Sequence, residues 1–352
     1  MRIAFLHMTM GLTNRGSEVT TDLLCNTLTQ NHEVICIQSG QISKKAYKVK
    51  QVYPLSVAPA TSPKNFFDKI LFRLKLDEES GAVADFSRAC VPVLKEFDPD
   101  IIVATNGSLQ LKVLRGESLR AKIVCFGHAG IGHHDIDTLL AKPDLFVALS
   151  QVADTWAKKL ALSRTKVVYI PNPLVIDKAS KINLGLTSPV VLSVGALSSY
   201  KNILSVVEAS RLAGTSLLII GDGEESSALE AALSTYPHEF RWIKQVEPNE
   251  MSSYYVSCDV FCFVPDAQEA FGRVYIEAMV GGLPIVASDD PIRRSIVGHQ
   301  GLFIDPHDHE AIAGAITKAS TMGKLDYKEE LRPFDLSTVV SQLEKEFHDL
   351  IK

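Results

Sequence analysis

Asp259-Val-Phe-Cys-Phe-Val264 is followed, after a short loop, by Glu269-Ala-Phe-Gly-Arg-Val-Tyr-Ile-Glu277-Ala-Met279 and then by Gly281-Gly282-Leu-Pro284. The first run is short, apolar and rich in valine and phenylalanine, the pattern of a strand buried on both faces. The second reads as a short helix that stops at the paired glycines. Glu269 therefore falls on the strand-to-helix loop, at the carboxyl end of a strand, and Glu277 lies more than a turn inside the helix. Ligands of open α/β sheets bind at that edge. Carboxylates accept hydrogen bonds from vicinal hydroxyls, and the free amides near Phe271 and Gly272 at a helix N-terminus favour phosphate oxygens. The arrangement suits a sugar joined to a diphosphate. Two glutamates at this spacing arise freely and on their own read as solvated helix-surface groups; the surrounding residues change that weight.

The same alternation of apolar strand and helical pattern runs through the chain, which predicts parallel sheets built from βαβ units. In the first half the strands fall near 2–7, 33–38, 100–104, 122–127, 145–149 and 167–170; in the second, near 189–194, 216–220, 240–243, 259–264, 284–287 and 302–304. Each half carries enough strands for its own doubly wound sheet. The expected domains are 1–172 and 173–352, with the seam in the proline-rich stretch from Pro171-Asn-Pro173 to Pro189. Residues 336–352 read as an amphipathic helix (Val339, Val340, Leu343, Phe347, Leu350, Ile351) that follows the second domain and is expected to pack back on the first.

Composition sets the class. A chain of 352 residues, 46% hydrophobic and 22% charged, is about two globular domains. No apolar run is long enough to span a bilayer. His7 interrupts the opening Arg2-Ile-Ala-Phe-Leu6 run and no small-residue cleavage site follows, which favours a first strand over a signal peptide. The cysteines (25, 36, 90, 125, 258, 262) have neither metal nor secreted-scaffold spacing, and Cys258 and Cys262 read as core. A cytoplasmic location is expected. The net charge of −5 argues against nucleic acid as a partner. Residues 44–75 depart from the average, with Lys44, Lys45, Lys48, Lys50, Lys64, Lys69, Arg73 and Lys75 against Asp68 alone. Within them, 64–76 mixes bulky apolar and basic residues, a pattern for docking on the anionic inner face of a membrane or for a mobile helix on its own domain.

Other strand ends carry candidate ligand groups. Gly195 ends the first strand of the second half and precedes Lys201-Asn202, where a lysine can neutralise a diphosphate. Gly221-Asp222-Gly223 ends the next strand but lacks the rest of a dinucleotide fingerprint. In the first half, Arg15-Gly16-Ser17-Glu18 opens the first helix, with Ser17 as the expected cap. His128 follows Phe126-Gly127 at another strand end, and His133, His134, Asp135 and Asp137 follow without metal-site spacing.

In this order, Val147-Ala-Leu-Ser150, Ile170-Pro-Asn172 with Asp177, Gly195 to Asn202, Gly221-Asp-Gly223 and Glu269 to Ala278 resemble the family 4 glycosyltransferases of GT-B fold. The resemblance covers most of the chain and is strongest from Phe146 to Ala319. It implies two Rossmann-like α/β domains facing a central cleft, an N-terminal acceptor side and a C-terminal nucleotide-sugar side. It implies that Glu269 contacts the donor sugar, Glu277 the nucleotide ribose, and Lys201 the diphosphate. Gly16 would lie near the phosphates and His128 at the reaction centre. Asn202, Gly195, Gly221, Phe271, Gly272 and Arg273 complete the implied donor site. The co-substrate is a nucleoside diphosphate sugar, with no metal or other cofactor, and the acceptor a glycan or lipid-linked hydroxyl in cell-surface glycan assembly. Configuration would be retained.

Ala270 replaces a glycine of the family's motif, and two further departures matter more. Ala196 stands where many members have an arginine, so one phosphate-binding cation is missing; Arg273, Arg15 and Arg293 are the candidates to replace it. The family's glycine pair is Arg15-Gly16 here, so the first of its two glycines is also lost. Ala196 motivates one rival reading, a non-catalytic GT-B subunit of an active transferase. A sugar-nucleotide epimerase of the same fold is another. Turnover of donor by the purified chain separates the first rival, and conversion without acceptor the second.

Overall fold

The computed structural model describes residues 1–13, 16–56, 73, 75, 77–128, 131–161, 164–175, 179–266 and 269–352. Arg15, Asp177 and nearly all of the 64–76 segment, with the membrane contact expected of it, lie outside them. The chain divides into two compact units. One is Met1–Pro173 together with Val339–Lys352; the other is Leu174–Thr338.

The first unit holds a parallel sheet of β1 (Arg2–Leu6), β2 (Glu33–Gln38), β3 (Lys48–Gln51), β4 (Ile101–Ala104), β5 (Lys122–Phe126), β6 (Leu145–Ala148) and β7 (Lys166–Tyr169), in the order β3-β2-β1-β4-β5-β6-β7. The interior strand β1 pairs Ile3 with Val34 on one side and with Ile101 on the other. The inner strands of the sheet are apolar on both faces because helices cover both. Phe86, Cys90 and Leu94 of the helix Glu78–Phe97 bury themselves with Ile37, Ile102 and Phe146 in one such layer. Strand β3 was absent from the expected set. Its sequence, Lys-Val-Lys-Gln, is that of an edge strand protected by charge, so it shows no apolar signal.

The second unit repeats the plan with β8 (Val190–Val194), β9 (Ser216–Ile220), β10 (Phe240–Ile243), β11 (Val260–Phe263), β12 (Ile285–Ser288) and β13 (Leu302–Ile304). The order is β10-β9-β8-β11-β12-β13, all parallel. The chain steps outward from β8 to β10, then returns to place β11 on the other side of β8. The carboxyl ends of β8 and β11 therefore flank the point where the winding reverses, the position at which such sheets bind ligands.

The C-terminal helix Leu336–Ile351 buries Val339, Val340, Leu343 and Phe347. Its residues from Val339 onward belong to the first unit. His32 Nε2 lies 3.0 Å from Glu344 Oε1 and Lys166 Nζ 2.5 Å from Glu346 Oε2. All six cysteines are buried and unpaired. Among the described residues, no helix is long and apolar enough to cross a membrane.

Candidate active site

The loop after β8 ends in a short 3-10 turn, Ser199–Lys201. The loop after β11 carries Glu269. Because β8 and β11 are neighbours, these loops meet, and the Lys201 ammonium is ion-paired with Glu269 Oε2. Both side chains are largely shielded, at 16% and 11% exposure. Shielding from water strengthens such a pair. The ammonium also stands 5.4 Å from the Phe263 ring centre and 5.1 Å from that of Tyr200. Glu269 Oε1 accepts from the Phe271 amide at 3.4 Å.

Gly272 precedes the helix Arg273–Val280 with φ +82°, a conformation that favours glycine. A Cβ there would also lie 2.7 Å from the Tyr275 ring, which is fixed by a 2.6 Å bond from its hydroxyl to the Phe263 carbonyl. Phe271 is buried and meets Phe334 edge-on at 5.9 Å. Within the helix, Glu277 accepts from the Tyr255 hydroxyl at 2.8 Å, and Arg273 Nε lies 3.9 Å from Glu277 Oε1. Burial and then the Glu277 carboxylate hold the Tyr255 phenol protonated far above its usual range. Lys201, Glu269, Gly272, Arg273 and Glu277 thus form one constellation around the loop-helix junction after β11.

Three residues expected to touch a ligand are engaged by the protein. Asn202 Nδ2 donates to the carbonyls of Val264 (3.0 Å) and Pro306 (2.8 Å), and its Oδ1 accepts from Ser205 (2.7 Å). Both amide hydrogens are spent on tying β8, β11 and the loop after β13 together. A Cβ on Gly221 would fall 1.9 Å from the Gly195 carbonyl oxygen, so the close approach that requires glycine is backbone on backbone. Arg293 is fully buried and donates from Nη1 to the Glu269 carbonyl at 2.7 Å, which removes it as a free replacement for the cation lost at Ala196. Gly195 differs: a Cβ there would meet only the Phe263 ring, at 3.7 Å.

Residues 176–331, within the second unit, match the family model described as Glycosyl transferases group 1. An uncharacterized glycosyltransferase of Haemophilus influenzae is 26% identical over 318 residues, covering 85% of this chain and 84% of that one. A phosphatidyl-myo-inositol mannosyltransferase of Mycobacterium leprae is 30% identical over 219 residues, 56% of this chain and 57% of that protein. The crystal structure of Anabaena Alr3699/HepE in complex with UDP-glucose shares the fold, with TM-score 0.71 at 20% identity over 99% of this chain and 100% of that one. The chain is a glycosyltransferase of GT-B fold.

In the first unit of the transferase, a second group of polar residues gathers at the carboxyl edge of its sheet. Glu18, in the helix Gly16–Leu28, is buried and accepts from the hydroxyls of Thr9 (2.6 Å), Thr13 (2.7 Å) and Ser17 (3.0 Å). Burial by itself would raise its pKa; nearby His7 and the hydroxyl bonds outweigh this, and the net direction is down. Ser17 is therefore a partner of Glu18 inside the first turn and not the expected cap. Gly16 is exposed at the helix start. His7, at the end of β1, is buried with Nε2 unpartnered. His128, after β5, stacks on Phe126 at 5.7 Å. Burial first, and His7 second, pull its pKa down to about 4 against the opposing pull of Glu18.

Sequence reading of the transferase missed His7, Tyr255 and the three-hydroxyl cradle of Glu18. Only the positions of His7 and Glu18 beside a strand end and a helix start hinted at them. Among the described residues, no group of three His, Cys, Asp or Glu side chains is arranged to hold a metal ion. Of the basic residues in 44–75, Lys45, Lys48 and Lys75 pair with Asp22, Glu33 and Asp137, so part of that segment's charge is neutralised within its own unit.

Proposed function

We propose that this transferase is a retaining family 4 enzyme that moves a glycosyl group from a nucleoside diphosphate sugar to a hydroxyl of a glycan or lipid-linked acceptor. The observation that carries the reading is the Lys201–Glu269 pair at the reversal point of the second sheet, beside the N-terminus of the helix Arg273–Val280. In the structure the two charges satisfy each other. An incoming diphosphate competes for the lysine, which releases the carboxylate to accept from sugar hydroxyls. Binding the donor thus creates both halves of its own site. Glu277, steadied by Tyr255, takes the ribose hydroxyls. The complexes of the fold neighbour Alr3699/HepE with UDP and with UDP-glucose make a uridine nucleotide the first donor to test.

A nucleoside diphosphate leaves once its charge is stabilised. Lys201 and the amides near Gly272 provide that stabilisation without a metal and without a general acid at the leaving oxygen. In this scheme the departing phosphate takes the acceptor proton on the same face. His128, neutral at pH 7, serves the reaction as a hydrogen-bonding group and not as a cation. The names of the mannosyltransferase relatives, on phosphatidyl-myo-inositol and on O-antigen chains, support an acceptor in cell-surface glycan or glycolipid assembly. Peripheral attachment to the inner face of a membrane rests on the 64–76 sequence alone.

The test is release of nucleoside diphosphate from UDP-glucose and GDP-mannose by the purified chain and by Lys201→Ala. Loss of one charged transition-state contact costs roughly 2–4 kcal/mol, so turnover should fall at least about ten-fold. Near-parental turnover in the variant would remove Lys201 from the mechanism.

A further inference from the structure

Asp290 follows β12 and caps the helix Pro291–Val297, accepting from the amides of Ile292 (2.9 Å) and Arg293 (3.0 Å). The same carboxylate stands 3.0 Å from Arg293 Nε. The Arg293 guanidinium is fully buried, and its Nη2 has no hydrogen-bond partner. Burying a cation with a donor unspent is costly, and apolar side chains of similar size often stabilise a core as well or better. Stability alone therefore does not account for arginine here. Beyond its approach to Asp290 on its own helix, Arg293 makes one contact with another loop that no apolar side chain could make: it donates to the Glu269 carbonyl at 2.7 Å.

Glu269 is held from every polar group it has. Its amide donates to the Asp266 carbonyl at 3.2 Å, its carbonyl accepts from Arg293, and its carboxylate lies between Lys201 and the Phe271 amide. Of these, only the Arg293 bond ties the residue to the loop and helix after β12. Asp266 and Phe271 belong to its own loop, and the Lys201 contact is the one a donor diphosphate would break.

We infer that Arg293 is a positioning residue for Glu269. It fixes the main chain from behind, so that the carboxylate keeps its direction when the diphosphate takes over Lys201. This rests on the reading of Glu269 as the sugar-binding carboxylate. Displacing a reacting group by about 1 Å can cost on the order of a hundred-fold in rate. Arg293 thus contributes to the reaction through Glu269 and touches neither phosphate nor sugar.

The experiment is a double-mutant cycle of Arg293→Met and Glu269→Gln. For each protein the melting point is recorded, with dissociation constants for UDP and UDP-glucose and, in parallel, for GDP and GDP-mannose, and the rate of donor hydrolysis. Arg293→Met should keep nucleoside diphosphate affinity within about three-fold. Its sugar-dependent affinity or its turnover should fall by about ten-fold, and the loss should shrink below about two-fold in the Glu269→Gln background, as expected for residues acting as a unit. Arg293→Lys, which retains a cation and a donor, should recover part of the loss. An equal loss in both backgrounds would overturn the inference, as would no loss. Failure of both Arg293 variants to fold would also overturn it, since the contact would then be a requirement of folding. A Glu269→Gln protein with parental sugar preference, or a parent that binds neither nucleotide pair, would overturn the donor-site reading itself and this inference with it.

Discussion

Lys201 and Glu269 sit 68 residues apart in sequence and ion-pair in the fold, which gives each side chain a partner of opposite charge. His128 shows the opposite behaviour. Its pKa near 4 lies below the ordinary value of 6.5, so the folded state prefers the neutral imidazole. The sign follows from linkage: the contribution to stability is fully present above about pH 6.5 and is lost as the pH falls through about 4. His128→Gln should therefore flatten the fall in melting point between pH 6.5 and 4, measured in matched buffers. An unchanged acid limb in the variant would mean that other groups carry it. The placement of Lys201 and Glu269 on neighbouring strand-to-helix loops, and of Glu277 within the following helix, was legible in the sequence because all three sit at fixed offsets from apolar strands. Asn202, Gly221 and Arg293 read in the sequence as candidate ligand groups; that the Asn202 amide and Arg293 Nη1 donate to carbonyls of other loops and that Gly221 packs on Gly195 was not legible, since a residue's offset from a strand does not tell where its polar atoms are spent.

At the scale of elements, the helix Arg273–Val280 is held at its far end by Lys324. Its Nζ donates to the carbonyls of Cys258 (2.9 Å), Gly281 (3.0 Å) and Tyr255 (3.3 Å), at the C-termini of two helices where cations are favoured. Burial brings the Lys324 pKa down to about 8. This clamp joins the helix carrying Glu277 to the helix carrying Tyr255. Lys324→Met should cost roughly 2–3 kcal/mol, the usual worth of charge-assisted hydrogen bonds, and should weaken nucleotide binding through Glu277. Denaturant melts with and without UDP would measure both effects, and parental stability would contradict the clamp. The strands were legible because each apolar one, buried on both faces, reads as an unbroken run; Ser216–Ile220 and Val260–Phe263 are fully buried. The charged edge strand Lys48–Gln51 was not, because its stability comes from pairing with β2 and not from apolar burial.

For the molecule as a whole, the chain's last helix belongs to the unit that contains its first strand. The amphipathic stripe from Val339 to Phe347 was visible in the sequence, but its partners, such as His32 and Lys166, are remote in the chain and carry no local signature. Phe347 is fully buried. Phe347→Ala should destabilise the first unit by about 3–5 kcal/mol, as buried phenylalanine deletions do. Two-unit chains need not unfold in one step, so hydrogen exchange resolved by segment is the suitable readout. The loss should appear in β1, β2 and the terminal helix, and uniform protection across the chain would contradict it.

The most direct test of the donor site is thermal stabilisation by a panel of nucleoside diphosphates and their sugars, for the parent and for Glu277→Ala. A ligand that binds only the folded protein raises its melting point by mass action, by about 2.7 kcal/mol of stability at a hundred times the dissociation constant. The expected result is a selective rise with one nucleotide class in the parent and little or none in Glu277→Ala. No rise with any nucleotide, or an equal rise in both proteins, would contradict a nucleotide-sugar site built on Lys201, Glu269 and Glu277.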